Sequence, residues 1–146
     1  MDWTFLPFDI IVKILLAAAL GLALGVEREW SGKAAGVRTN LIISVGSCLF
    51  TILSIDGFPY SDITDPSRIA AQIVTGVGFL GAGALIHTED HVRGLTTAAN
   101  IWLVAAVGMA CGIGLPLLAI FVTVITVFAL IALRPFSSLF TGKRPS

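Results

Sequence analysis

The sequence predicts an all-α fold, a bundle of about five transmembrane helices, and three observations carry that expectation. First, 56% of the 146 residues are hydrophobic and 12% are charged, where an average soluble domain has roughly a quarter charged, and mean hydropathy is +0.95. So little polar surface cannot coat a water-soluble globule. Second, the apolar residues gather into runs near the roughly 20 residues that a spanning helix needs. Third, the stretches between the runs are short and carry turn and cap residues. Five spans use most of the chain, so residues 1–146 are expected to form a single transmembrane domain.

The first helix is expected over residues 8–26. Met1 to Pro7 contains no positive residue, so this run reads as a retained helix and not a cleaved signal peptide. Gly21 and Gly25, four apart, offer a small face to a neighbouring helix. Asp9 and Lys13 share the same spacing and are expected to pair or to reach the interface. The polar stretch Glu27 to Thr39 reads as a loop and holds the densest charge in the chain. A second helix is expected over 40–55, closed by Asp56-Gly57-Phe58-Pro59. A third is expected over 66–86, with Asp65 as its N-cap and Pro66 at its first position. His87 to Arg93 reads as a loop, a fourth helix covers 94–111, Gly112 to Pro116 turns the chain, and a fifth covers 117–133.

Charge sets the expected orientation. Nine basic and nine acidic residues leave the chain neutral, and the basic ones are scattered, so no face for a nucleic-acid backbone is visible. In a five-span arrangement Arg28, Lys33, Arg38, Arg93, Arg134, Lys143 and Arg144 fall on one side, against Lys13 and Arg68 on the other. The positive-inside rule then puts the N-terminus outside and the C-terminus in the cytoplasm. The outer loop carries Asp56, Asp62 and Asp65, weak candidates for binding a metal ion. Cys48 and Cys111 lie inside apolar runs with no CxxC pair or nearby histidine, and read as small packing residues.

Three constellations have competing readings. Gly76-Val77-Gly78-Phe79-Leu80-Gly81 matches a dinucleotide-binding pattern, but it lies inside a membrane-length run with no strand before it, which removes the cofactor reading. On a helical wheel Arg68, Gln72, Gly76 and Gly83 share a stripe with Gly78 and Ala82 beside it, while Ile73, Val77 and Leu80 lie opposite. Small residues permit close backbone approach in lipid, so the stripe is expected to face the bundle interior. The other reading is local unwinding of the helix at its glycines. His87 and His91 flank Glu89 and Asp90, but the order is not that of the zinc hydrolases, and a solvated loop is expected.

The third constellation is on the fourth helix, where Arg93, Thr97, Asn100 and Val104 share a face. An amide two turns into a span is costly unless it bonds another helix or water, so Asn100 points inward, either as interhelical glue or as part of a site. Glu27, Arg28, Lys33 and Arg38 come to the same membrane surface as Arg93, Thr97 and Asn100, which outlines a polar pocket for a partner or a small anion. The plainer reading is that Glu27 and Glu29 neutralise nearby arginines and tie the loop to the bundle. No nucleophile, base pair or cofactor cradle is evident, so neither enzymatic activity nor a cofactor is expected.

The stretches Glu27-Arg28-Glu29, Ala35 to Asn40, Arg68 to Gly83 and Val92 to Trp102 together resemble the MgtC/SapB family of membrane proteins, in the family's order. The resemblance implies a multi-span protein of the bacterial inner membrane, associated with survival at low magnesium, acid stress and life inside host cells. For some members it implies restraint of the F-type ATP synthase. Several members add a soluble domain after the fifth helix, and this chain stops at Ser146. The leading expectation is therefore a regulator that binds other membrane components, a membrane-protein partner or further copies of itself. A cation transporter, acting as an oligomer, is the second. Magnesium wants oxygen ligands and dehydrates reluctantly, and the acids lie only at the ends of the first helix and in the loops.

Overall fold

The computed structural model describes residues 8–57, 65, 67–87 and 92–134. Five helices follow in order: α1 Phe8–Trp30, α2 Val37–Asp56, α3 Arg68–Gly83, α4 Leu95–Ile113 and α5 Pro116–Ala132. Between α3 and α4 the two-residue strands β1 (Ile86–His87) and β2 (Val92–Arg93) pair antiparallel, where a plain loop was expected. By length and composition α1, α2 and α4 can each cross a membrane, and α5 is a shorter apolar helix. Asp62, His91, Lys143 and Arg144 lie outside the described residues.

α1 runs one turn further than the sequence reading allowed, through Glu27–Trp30. The extension is possible because these charges are not left to lipid: Glu27 and Arg28 turn into the bundle and are buried. After Trp30 a short loop returns to α2, with Ala35 in the left-handed region at φ 59°. Glu29 caps the next helix, its Oε2 accepting the Val37 N–H at 2.9 Å. A carboxylate there meets both an unpaired donor and the positive end of the helix dipole. At the other end of α1, Lys13 pairs with Asp9 at 2.9 Å.

α1, α2 and α4 form the core. Its buried apolar residues include Ala17 and Leu24 of α1, Ile43, Cys48 and Ile52 of α2, and Val104, Val107 and Cys111 of α4. Glycines permit the close contacts. A Cβ on Gly21 would stand 2.7 Å from the Ser44 Cβ, and one on Gly112 would stand 2.8 Å from the Cys48 carbonyl oxygen. Gly108 lies so close to the Ser44 carbonyl that no side chain fits. Ser44 also donates to the Ala17 carbonyl at 2.7 Å, tying α2 to α1.

α3 is one unbroken helix, and it presents the opposite face from the one expected. Ile73, Val77 and Gly81 are its buried residues, whereas Arg68, Gln72, Gly76, Gly78, Ala82 and Gly83 are exposed. Among the described residues, nothing lies within 4 Å of a Cβ added to Gly76, Gly78 or Gly83. The reason is that a small residue is used only where a neighbour can also come close. The small positions of α2 and α4 are already engaged by each other and by α1, so α3 rests on them through side chains. Beside it, α2 and α3 splay around an apolar cleft of about 500 Å³ lined by Ile42, Phe50, Gln72, Gly76 and Leu80 among others.

The start of α3 also differs from expectation. Asp65 does not cap the helix: its Oδ1 accepts from Ser67 Oγ at 2.7 Å and Ser67 N at 2.9 Å, forming the turn before Arg68. These bonds hold the exposed Asp65 carboxyl below its usual range.

Candidate functional site

The polar interior is concentrated at the end of the bundle where α1 finishes and α4 begins. Arg28 projects from the last turn of α1 and donates from Nη2 to Thr97 Oγ1 on α4 at 3.0 Å. Glu27, its neighbour in sequence, stands 3.9 Å from Arg28 Nη1 through Oε2. Through Oε1 it takes a 2.6 Å ion pair from Arg134, just past α5. Ser31 donates to the same Oε1 at 2.7 Å and also contacts Arg134. Glu27 and Arg28 are only 5% and 3% exposed, so this is a charged cluster inside the bundle and not a surface ion pair.

A second polar contact lies one helical turn further along α4. Asn100 donates from Nδ2 to Asn40 Oδ1 at 2.7 Å. Asn40, on the first turn of α2, donates its own amide to the carbonyls of Gly36, at 2.8 Å, and Ala35. It thereby ties the loop before α2 to that helix's first turn, and α2 to α4. Both side chains are buried.

Three buried polar atoms have no hydrogen-bond partner among the described residues: Glu27 Oε2, Arg28 Nε and Asn100 Oδ1. An unmatched polar group away from water costs roughly 1–3 kcal/mol, and more when it is charged. Beside the cluster opens a cleft of about 650 Å³ between α1, α4 and α5. Glu27, Arg28, Ser31 and Lys33 line one wall, Leu95 and Thr97 the second, and Ile125, Leu130, Leu133 and Arg134 the third. It is polar at its α1 wall and mostly apolar along α5, with Thr126 and, past the helix end, Arg134 as the polar residues there. Chemically it can hold an anion, or a molecule that is anionic at one end and apolar at the other.

Of the residues singled out from the sequence, Glu27, Arg28, Lys33 and Thr97 meet at this cleft, while Asn100, one turn past Thr97, does not line it and bonds Asn40 instead. Arg38 and Arg93 do not join them. Arg38 is exposed on the outer side of α2, and Arg93 is exposed on β2 and not on α4, because α4 begins only after Gly94, whose φ is 95°. Asp56 is partly buried at the end of α2 and Asp65 is exposed on its turn, far along the chain from this cluster. Among the described residues, no group of three or more His, Cys, Asp or Glu could hold a metal ion. Sequence reasoning missed Ser31, Asn40 and Arg134. Asn40 carried a usable signal, an amide at the start of an apolar run, while Arg134 carried none that would link it to residue 27.

Residues 14–139 match the MgtC family. YhiD of Escherichia coli K12 is 46% identical over 129 residues, covering 84% of this chain and 59% of that protein. The protein MgtC of Salmonella typhimurium LT2 is 42% identical over 134 residues, covering 92% of this chain and 56% of that protein. An uncharacterized protein of Synechocystis is 40% identical over 145 residues, covering 99% and 58%. The chain thus spans a little under three fifths of the length of the curated relatives it matches. No solved structure matches it. Its apolar five-helix bundle and the match over residues 14–139 lead to one conclusion: this membrane protein belongs to the MgtC family.

Proposed function

We propose that the chain is a non-enzymatic protein of the bacterial inner membrane that supports adaptation to low magnesium or acid stress. It acts by binding another membrane component at the cleft between α1, α4 and α5. The observation that carries this reading is the buried Glu27–Arg28 pair, held at 3.9 Å with hydrogen-bonding capacity left over beside an open cleft. Buried ionisable groups in a membrane protein are costly and mark functional sites by default. The positive-inside rule puts this end of the bundle in the cytoplasm. A membrane protein partner, the F-type ATP synthase among the candidates, meets the bundle from that side.

The second reading is a magnesium or other cation transporter, and the name of YhiD, which provisionally assigns that relative to magnesium transport, favours it. Against it stands the chemistry of the interior. Glu27 is the one buried carboxylate among the described residues, and Arg28 and Arg134 already neutralise it. Magnesium takes oxygen ligands and keeps much of its water, so such a lining is poorly suited to it.

Two measurements separate the readings. Pure protein in liposomes, with internal magnesium followed by a dye, is expected to show no flux above empty liposomes. In cells, Lys33→Ala and Arg134→Ala are expected to abolish growth support at low magnesium while the protein level stays near the parent. Dye-detected flux that these variants retain would replace the regulator with the transporter.

A further inference from the structure

We propose that the cleft between α1, α4 and α5 binds an anionic membrane phospholipid, its phosphodiester headgroup on Arg28, Lys33 and Arg134. This rests on the reading of the cleft as a binding site and names its immediate occupant. Charge is the first argument: three cations and one carboxylate, Glu27, line the cleft, an excess of two positive charges. Arg28 is 3% exposed, and its Nε has no hydrogen-bond partner among the described residues. A guanidinium offers five donors in a planar fork suited to phosphate oxygens. The unmatched acceptor Glu27 Oε2 beside it suits a headgroup hydroxyl.

Shape is the second argument, and it distinguishes a lipid from a free anion. The wall formed by α5 and the residue after it is mostly apolar, Thr126 apart, and Ile125 and Leu133 are 49% and 60% exposed there. α5 buries only Ala119 and Thr123, both in its first half. Its second half packs less fully: Val127 rests against the core while Ile125, Phe128 and Ile131 are exposed, so apolar surface beside the cleft is left uncovered by protein. A free phosphate would find three cations but would gain nothing from that wall. An acyl chain would cover it. The volume of about 650 Å³ falls within the range of small-ligand sites.

Depth is the third argument. Trp30, one turn past Glu27 at the end of α1, is 88% exposed, and exposed tryptophans at span ends sit at headgroup level. The cluster is thus at the height of lipid phosphates, where basic pockets between helices recognise anionic headgroups.

The test uses the full chain, purified, stripped of lipid and held in a neutral detergent. Its melting temperature is followed while phosphatidylglycerol, phosphatidylcholine or inorganic phosphate is added, and retained lipid is identified by native mass spectrometry. Phosphatidylglycerol is expected to stabilise the protein at concentrations where the other two do not. Lys33→Gln and Arg134→Gln are each expected to weaken that response about fivefold, and neither requires removing the buried Arg28. Equal stabilisation by phosphatidylcholine would overturn the proposal, as would stabilisation by inorganic phosphate alone, which would mark a free-anion site. A response unchanged in both variants would place the lipid elsewhere and overturn it too. Growth at low magnesium tests the functional reading separately: normal growth of variants with weakened lipid binding would remove that reading and leave the lipid site standing.

Discussion

α4 and α3 both carry glycines on an apolar helix, yet they use them in opposite ways. Gly108 and Gly112 of α4 receive the backbone of α2, and Gly21 of α1 receives it from the other side. Gly76, Gly78 and Gly83 of α3 meet no described residue within 4 Å of where a Cβ would stand. In lipid no hydrophobic force drives helices together, so close packing and interhelical hydrogen bonds must do it. α1, α2 and α4 have both, through the glycine contacts and through Ser44 to Ala17 and Asn100 to Asn40. α3 has the side-chain contacts of Ile73 and Val77, and a close approach only at Gly81, where an added Cβ would meet Ala98 at 3.6 Å. A small residue in a membrane helix is a capacity for contact, and the neighbour decides whether it is used.

The largest expected effect breaks or confirms this contrast directly. Gly108→Leu should lower stability by about 3 kcal/mol or prevent folding, since nothing near the Ser44 carbonyl can yield. Gly78→Leu should stay within about 0.5 kcal/mol. Unfolding midpoints in detergent measure both, and similar losses would mean that α3 packs through its glycines after all.

An intermediate effect sharpens the polar side of the comparison. Asn100→Leu leaves the Asn40 acceptor unmatched and should cost about 1–3 kcal/mol. In a double-mutant cycle with Asn40→Leu the pair should show coupling of about 1 kcal/mol. Gln72→Leu, on the exposed face of α3, should cost almost nothing. If the Asn cycle closed with no coupling, the tie between α2 and α4 would have to be sought in the glycines alone.

The smallest effect has the opposite sign. Ala35 holds a left-handed conformation in the loop that sets α2 against α1, a conformation that disfavours any residue with a Cβ. Ala35→Gly should therefore raise stability by about 0.5–1 kcal/mol. A loss in the same melting assay would show that the restricted backbone matters more in the unfolded chain than the strain does in the folded one.

Much of this was legible in the residues themselves. Composition required a membrane bundle, because 12% charged residues cannot clothe a soluble domain, and the spacing of apolar runs placed five helices. The pairing of Asp9 with Lys13 followed from four-residue spacing, as did the small face at Gly21 and Gly25. The depth of Asn100 and Thr97 on one face of α4 already said that they point inward, because a polar group in hydrocarbon must find a partner.

The tertiary structure decided matters that depend on which surfaces meet. Helical periodicity separates the two faces of α3 but is symmetric between them, so only the occupied neighbours could turn Ile73 inward and Gly78 outward. The end of α1 was open for the same reason: Glu27 and Arg28 read as loop until Thr97 and Arg134 arrive from α4 and α5 to satisfy them. Arg134 stands 107 positions from Glu27, and no local pattern encodes that distance. Sequence alone determined that this protein belongs in a membrane and that five helices follow in this order, though not where each one ends. The packing of one helix against the next determined which charges are buried, because the cost of burying a charge is met only by a partner that the chain brings from far away.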